Sequence, residues 1–221
     1  YGKVDLAVQP DRQPPGKLLI HMLNNNDCCR ESGRQMFQDL KQSLQPGAKI
    51  LFNGIWNFVD RMPQDQAALL EFADAAIVEY FGHRPDKGSG SYTDDIAPYL
   101  EFMDNLEPEK KLYVFGRGTW AYEDYQTNYR RQRNTYASYL LAANQSTSFK
   151  YQSSFQIPAH AGRSGGLDIY ADWQAPIGQP VGDRVRQGEL IFREFENGLV
   201  VVHPEGEQPV DFEPTRMFWT L

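Results

Sequence analysis

Glu79 is the only charged residue in residues 75–81, AAIVEYF. A run of Ala, Ile and Val of this length reads as a strand buried on both faces, as in a parallel sheet. An acid at the C-terminal end of such a strand is costly unless it is used, and in α/β folds that end is where ligands bind. Desolvation at an apolar strand end disfavours a charged carboxylate, so a carboxyl placed there is suited to giving a proton to a substrate. The competing reading is a rim acid paired with an arginine. Three other apolar runs lead to a polar side chain at a comparable height: Asn24 after LLIHML (18–23), Asn53 within KILFNGI (49–55) and Arg117 after KLYVF (111–115). Asn53 has the types of atom that bind a sugar hydroxyl or N-acetyl group; its plainer reading is an Asn-Gly turn. Trp56, Trp120 and Tyr122 follow these runs closely, and Trp173 lies further on. Their rings can stack on the apolar face of a pyranose or simply pack in a surface loop. The expectation is that Asn24, Asn53, Glu79 and Arg117 share one end of a parallel sheet, within a single cleft. His83 reads as a surface histidine.

The elements that would hold these residues alternate. Strands are expected at 18–23, 49–55, 75–81, 111–115 and 148–153, with a shorter one at 4–8. Helices are expected between them. One follows the turn-forming cluster 24–27, capped by Ser32, with Met36, Phe37, Leu40 and Leu44 at helical spacing. A second covers 64–73. A third starts at Thr93 with Asp94 and Asp95 in its first turn, and a fourth covers 126–144. Strands and helices in alternation imply βαβ units and a parallel sheet with right-handed crossovers. The pattern breaks after residue 153. Residues 157–188 are rich in Gly, Pro and Asp. ELIFREF and LVVVH then flank Glu196-Asn197-Gly198, and Asn-Gly between two β-rich runs is the strongest short hairpin signal. A last strand is expected at 210–212. Two segments result: 1–155, the (β/α) units, and 156–221, a loop and antiparallel β segment packed on the same domain.

Composition bounds the partners. The 221 residues are 41% hydrophobic and 23% charged, which predicts a soluble globular chain with a sizeable core. A net charge of −7 argues against nucleic acid or an anionic membrane surface. No apolar run approaches the ~20 residues of a membrane span, and the N-terminal residues carry no signal-peptide pattern. Aromatic residues reach 13%, which suits a sugar-binding cleft and also a large core. Cys28 and Cys29 are adjacent. They read as two reduced or buried thiols, or alternatively as a vicinal disulfide stiffening a site loop. No further Cys or His cluster completes a zinc site. GxGxxG, P-loop, GxSxG and HExxH patterns are lacking, and no cofactor is expected.

Two stretches carry a resemblance. One is the order of an apolar strand with Asn/Asp, then FNG, then VEYF. The other is the tail IFREFENGLVVVHP. Together they resemble glycoside-hydrolase-like families with a TIM-barrel fold, relatives of the endo-α-1,4-polygalactosaminidases, over residues 18–204. The resemblance implies an α/β, (β/α) TIM-barrel-like fold in which these are the later strands of the barrel, with the C-terminal β-hairpin as an addition. It also implies hydrolysis of a polysaccharide or oligosaccharide, outside the cell or in the periplasm. That chemistry uses two carboxyl groups across the scissile bond, one as proton donor and one to activate water or attack directly. Glu79 fits the donor. The family pattern ends its fourth strand on an aspartate in a segment like FLDN, whereas this chain reads MLNN with Asn24 at that point. An amide cannot serve as a base, so Asp27 is the candidate second carboxylate, its plainer reading being a helix or turn cap. Arg117, Trp120 and Tyr122 would hold and stack on the sugar, with Trp56 as a second platform; Arg193 and Glu194 read as structural. The alternative is a catalytically silent carbohydrate-binding protein on the same scaffold, which Asn24 favours.

Overall fold

The computed structural model describes residues 17–21, 27–55, 68–79, 81–82, 93–117, 125–152 and 170–203. Strand β1 (Lys17–His21) leads to helix α1 (Asp27–Ser43), then β2 (Lys49–Ile55), a 3-10 turn (Ala68–Glu71) and β3 (Ala75–Val78). Helix α2 (Thr93–Asp104), β4 (Lys111–Arg117), helix α3 (Tyr125–Leu140) and β5 (Thr147–Gln152) follow. After a second 3-10 turn (Ala171–Gln174) come β6 (Val185–Gln187), β7 (Leu190–Phe195) and β8 (Gly198–Val202).

Strands β1 to β5 form one parallel sheet in sequence order. Sequential order with right-handed crossovers puts successive helices on the same face, and the side chains agree. Phe52, Ala76, Val78, Leu112 and Val114 alternate along the strands and enter one core with Phe37 of α1 and Ile96, Tyr99, Leu100 and Met103 of α2. Phe37 meets Phe52 edge-on at 5.5 Å between ring centres. Helix α3 lies so close to β4 that a Cβ on Gly116 would come within 2.5 Å of the Thr135 Cγ2 and 2.9 Å of the Tyr151 ring. The opposite face carries Asn53, Ile77 and Tyr113, which are level with one another in the strand register.

Several elements depart from the sequence reading. Helix α1 begins at Asp27, so Ser32 lies inside it and does not cap it, and Cys28 and Cys29 fall in its first turn. Of the helix expected at 64–73, the described part is a single 3-10 turn, closed by Phe72 N donating to Leu69 O at 3.1 Å. Strand β6 arises in a stretch read as irregular. Its three residues are all exposed, so it leaves no apolar pattern; it pairs with β7 through a turn at Gly188, whose φ of +61° suits glycine. The expected strands at 4–8 and 210–212 lie outside the described residues.

The C-terminal strands form a separate antiparallel sheet in the order β6-β7-β8. Phe195 pairs with Gly198, so the turn proper is Glu196-Asn197, and Gly198 already belongs to β8. The sheet is fastened to α3 by Arg193. Its Nη1 donates to the carbonyls of Leu140, Leu141 and Ala143 at 3.3, 3.4 and 2.9 Å, and its Nε donates to Gly182 O at 3.0 Å. A guanidinium here satisfies carbonyls that the helix end leaves open and complements its negative pole. Arg184 pairs with Asp104 beside it.

Candidate active site at the C-terminal end of the parallel sheet

Asn53 and Glu79 meet. The Asn53 Nδ2 donates to the Glu79 Oε1 at 2.9 Å. The two residues stand on neighbouring parallel strands at their C-terminal ends. In the register, Asn53 is level with Ile77, two residues short of Glu79. Between Asn53 and Ile55 strand β2 spends two residues while β3 spends one. This irregularity at Gly54 is a bulge, which bends a strand and re-aims the side chains beside it. Asn53-Gly54 is thus a bulged strand segment and not the turn that the dipeptide also permits.

The backbone of Glu79 is held from both sides. Val78 pairs with Val114 of β4, and two residues after Glu79 the Phe81 N donates to Phe115 O at 3.0 Å. Phe81 is fully buried, with its ring edge-on to Tyr99 at 5.6 Å. Glu79 itself is half-buried. The result is a carboxyl on a fixed strand end, with one oxygen engaged by an amide and the group still within reach of solvent.

The other expected site residues are placed as follows. Arg117 is the last residue of β4, paired with Gln152, so its backbone is on the same edge of the sheet as Glu79. Asp27 opens α1, six residues after His21, which is level with Asn53. Asn24, Trp56, His83, Trp120 and Tyr122 lie outside the described residues. Trp173 is half-buried. Its ring packs against Tyr170, Phe149 and Tyr136 at 5.3, 5.6 and 5.9 Å between centres.

A buried polar layer on α3 was not anticipated. Helix α3 turns Asn128, Gln132, Thr135 and Ser138 inward, all buried. Tyr151 OH donates to the Asn128 Oδ1 at 3.3 Å, and the Asn128 Nδ2 donates to Tyr170 OH at 3.4 Å. Tyr129 OH donates to Asp172 at 2.9 Å, and Arg133 pairs with the same carboxylate at 3.3 Å. The Thr135 and Ser138 hydroxyls donate to the carbonyls one turn back, at Arg131 and Asn134. The signal was available as polar residues at helical spacing (128, 132, 135), but an apolar search passes over it.

The model of hypothetical glycosyl hydrolase family 15 matches residues 10–199. The chain belongs to this family. The match runs from before β1 into β8, so it takes in the parallel sheet, the Asn53–Glu79 pair and most of the C-terminal sheet. It agrees with the glycoside-hydrolase-like resemblance in the sequence. No curated protein matches the chain. Membership in a glycosyl hydrolase family points to glycoside-hydrolase-like chemistry on a carbohydrate. Among the described residues no helix is long and apolar enough to cross a membrane.

Proposed function

We propose that this protein is a glycoside hydrolase that cleaves a polysaccharide, with Glu79 as the proton donor and Asp27 as the second carboxylate. The observation that carries the reading is Glu79 itself: a carboxyl on a strand end fixed from both sides, at the C-terminal edge of a parallel sheet, in a chain of a glycosyl hydrolase family. Five parallel strands in sequence order, with their helices on one face, are the arrangement of consecutive strands in a (β/α) barrel. We therefore read the sheet as barrel wall and its C-terminal edge as the mouth of the site.

In the reaction, Glu79 protonates the glycosidic oxygen as the bond to the anomeric carbon breaks. The second carboxylate activates a water or attacks that carbon directly. Carboxyl groups ~5–5.5 Å apart give retention, and ~6.5–9.5 Å inversion. Asn24 serves as an orienting amide, Arg117 holds hydroxyls, and Trp56, Trp120 and Tyr122 stack on sugar rings. The substrate polysaccharide lies outside the cell or in the periplasm.

Glu79→Gln keeps the shape of the side chain and removes the proton. It should lower turnover by roughly 10²–10⁴-fold on unactivated glycans, the usual worth of a general acid, while glycan binding survives. Turnover and binding measured side by side on a panel of amino-sugar polysaccharides decide the matter. Full activity in Glu79→Gln removes the residue from the mechanism. A parent protein that binds glycans and cleaves none is the silent carbohydrate binder.

A further inference from the structure

We propose that Asn53 is a positioning residue for Glu79: its side-chain amide holds Oε1 and so fixes the orientation of the carboxyl that delivers the proton to the substrate. The inference rests on Glu79 being the proton donor. It gives Asn53 a different task from the sugar ligand that its residue type suggests.

Three observations lead there. The amide donates to one carboxyl oxygen at 2.9 Å. Second, Asn53 is only 4% exposed, which leaves little of it for a ligand to touch. Third, its backbone lies between two strands, level with His21 of β1 and Ile77 of β3, and the bulge at Gly54 follows at once. A side chain so confined restricts Glu79 to few rotamers, which is the supporting role that precise catalytic geometry requires.

The step balances. The carboxyl O–H bond of Glu79 breaks and its proton forms a bond to the glycosidic oxygen. The bond from that oxygen to the anomeric carbon breaks, and its electron pair stays with the leaving oxygen. Glu79 is left as a carboxylate, and the Asn53 N–H already points at it. A hydrogen bond to an ionised acceptor is stronger than one to a neutral acceptor, so the contact tightens as charge develops. The amide does not titrate, so the support is constant across the pH range.

The test compares kcat/KM against pH for the parent, Asn53→Ala and Asn53→Leu, on whichever amino-sugar polysaccharide the parent turns over fastest. Losing the donor removes support for the carboxylate, so the alkaline limb should move to higher pH by about one unit in both variants. Turnover should fall about tenfold with KM within about twofold. Added to Glu79→Gln, Asn53→Ala should cost less than about twofold further, as for residues acting through one group. Asn53→Leu keeps the branched outline of the side chain without adding a charge, and serves if the alanine variant does not fold. An unmoved limb with a raised KM makes Asn53 a sugar ligand and overturns the proposal. If the parent cleaves nothing, the hydrolase reading falls by itself. The ¹³C titration of the Glu79 carboxyl in the parent and in Asn53→Leu then decides, and identical curves overturn the positioning role.

Discussion

Asp74 joins two strands with a single carboxyl. It accepts from the Lys49 Nζ and from the Ile50 backbone N, each at 2.8 Å, while its own backbone N donates to Ile50 O at 2.9 Å. Its backbone carbonyl in turn accepts from Lys111 N at 3.1 Å, so the start of β3 is tied to β2 and β4 together. Burial opposes the charged carboxylate, but the bonds from Lys49 and Ile50 and the charges of Lys49 and Lys41 outweigh it and hold Asp74 below its ordinary value of 3.8. A carboxyl lowered on folding contributes stability that is fully present above the unfolded value and is lost as pH falls through the folded one. Asp74→Asn should therefore be less stable than the parent at neutral pH, and the gap should close as pH drops below 3.8. Urea unfolding followed from neutral pH down to about pH 3 checks this; a gap that stays constant with pH would mean that the charge is not what Asp74 contributes.

Among the elements, helix α3 is the one that the rest of the described chain leans on. Its N-terminal half holds the Tyr151–Asn128–Tyr170 chain and Asp172, and its C-terminal end is covered by Arg193 from β7. Burial pushes the Arg193 guanidinium down from its ordinary value, and the neighbouring Arg184 adds to this, while Asp104 and Asp183 oppose it. The ordinary arginine value lies so far above neutrality that the side chain keeps its charge and all its donors at neutral pH. Arg193→Met retains an unbranched stem beside Phe195 and removes the donors. The loss should be about 1.5–3 kcal/mol, the range for hydrogen bonds involving a charged group. Amide exchange should quicken in the last turn of α3 and along β7, because both ends of the contact loosen together. A variant as stable as the parent, with exchange unaltered, would make the contact incidental.

At the scale of the whole molecule, the two sheets share apolar packing. Ile191 of β7 and Val202 of β8 belong to the same core cluster as Phe52, Val78, Leu112 and Val114 of the parallel sheet. Elements that bury their apolar sides against each other unfold together. Denaturant unfolding should give one transition, with circular dichroism and tryptophan fluorescence coinciding. Ile191→Ala should move both curves equally, at a cost of roughly 2–5 kcal/mol for a buried aliphatic truncation. Two separated transitions would show that the β6–β8 sheet is an independent unit.

Local patterning determined the class of this protein. Apolar runs of strand length and apolar residues at helical spacing are properties of neighbours in the chain, so β1 to β5, the three helices and the β7–β8 hairpin were legible before any coordinates. The family was legible for the same reason, because motif order is linear. What depends on distant partners was not. Asn53 and Glu79 are 26 positions apart, and only the β2–β3 register with its bulge at Gly54 brings the amide to the carboxyl. Strand β6 has no buried residue and exists because β7 offers it an edge. Trp173 became a packed ring because Tyr136, Phe149 and Tyr170 close around it. Arg193 acquired its role from carbonyls some 50 residues earlier. Periodicity is read along one segment, whereas each of these facts is a meeting of two, and tertiary packing alone decides which segments meet and at what height.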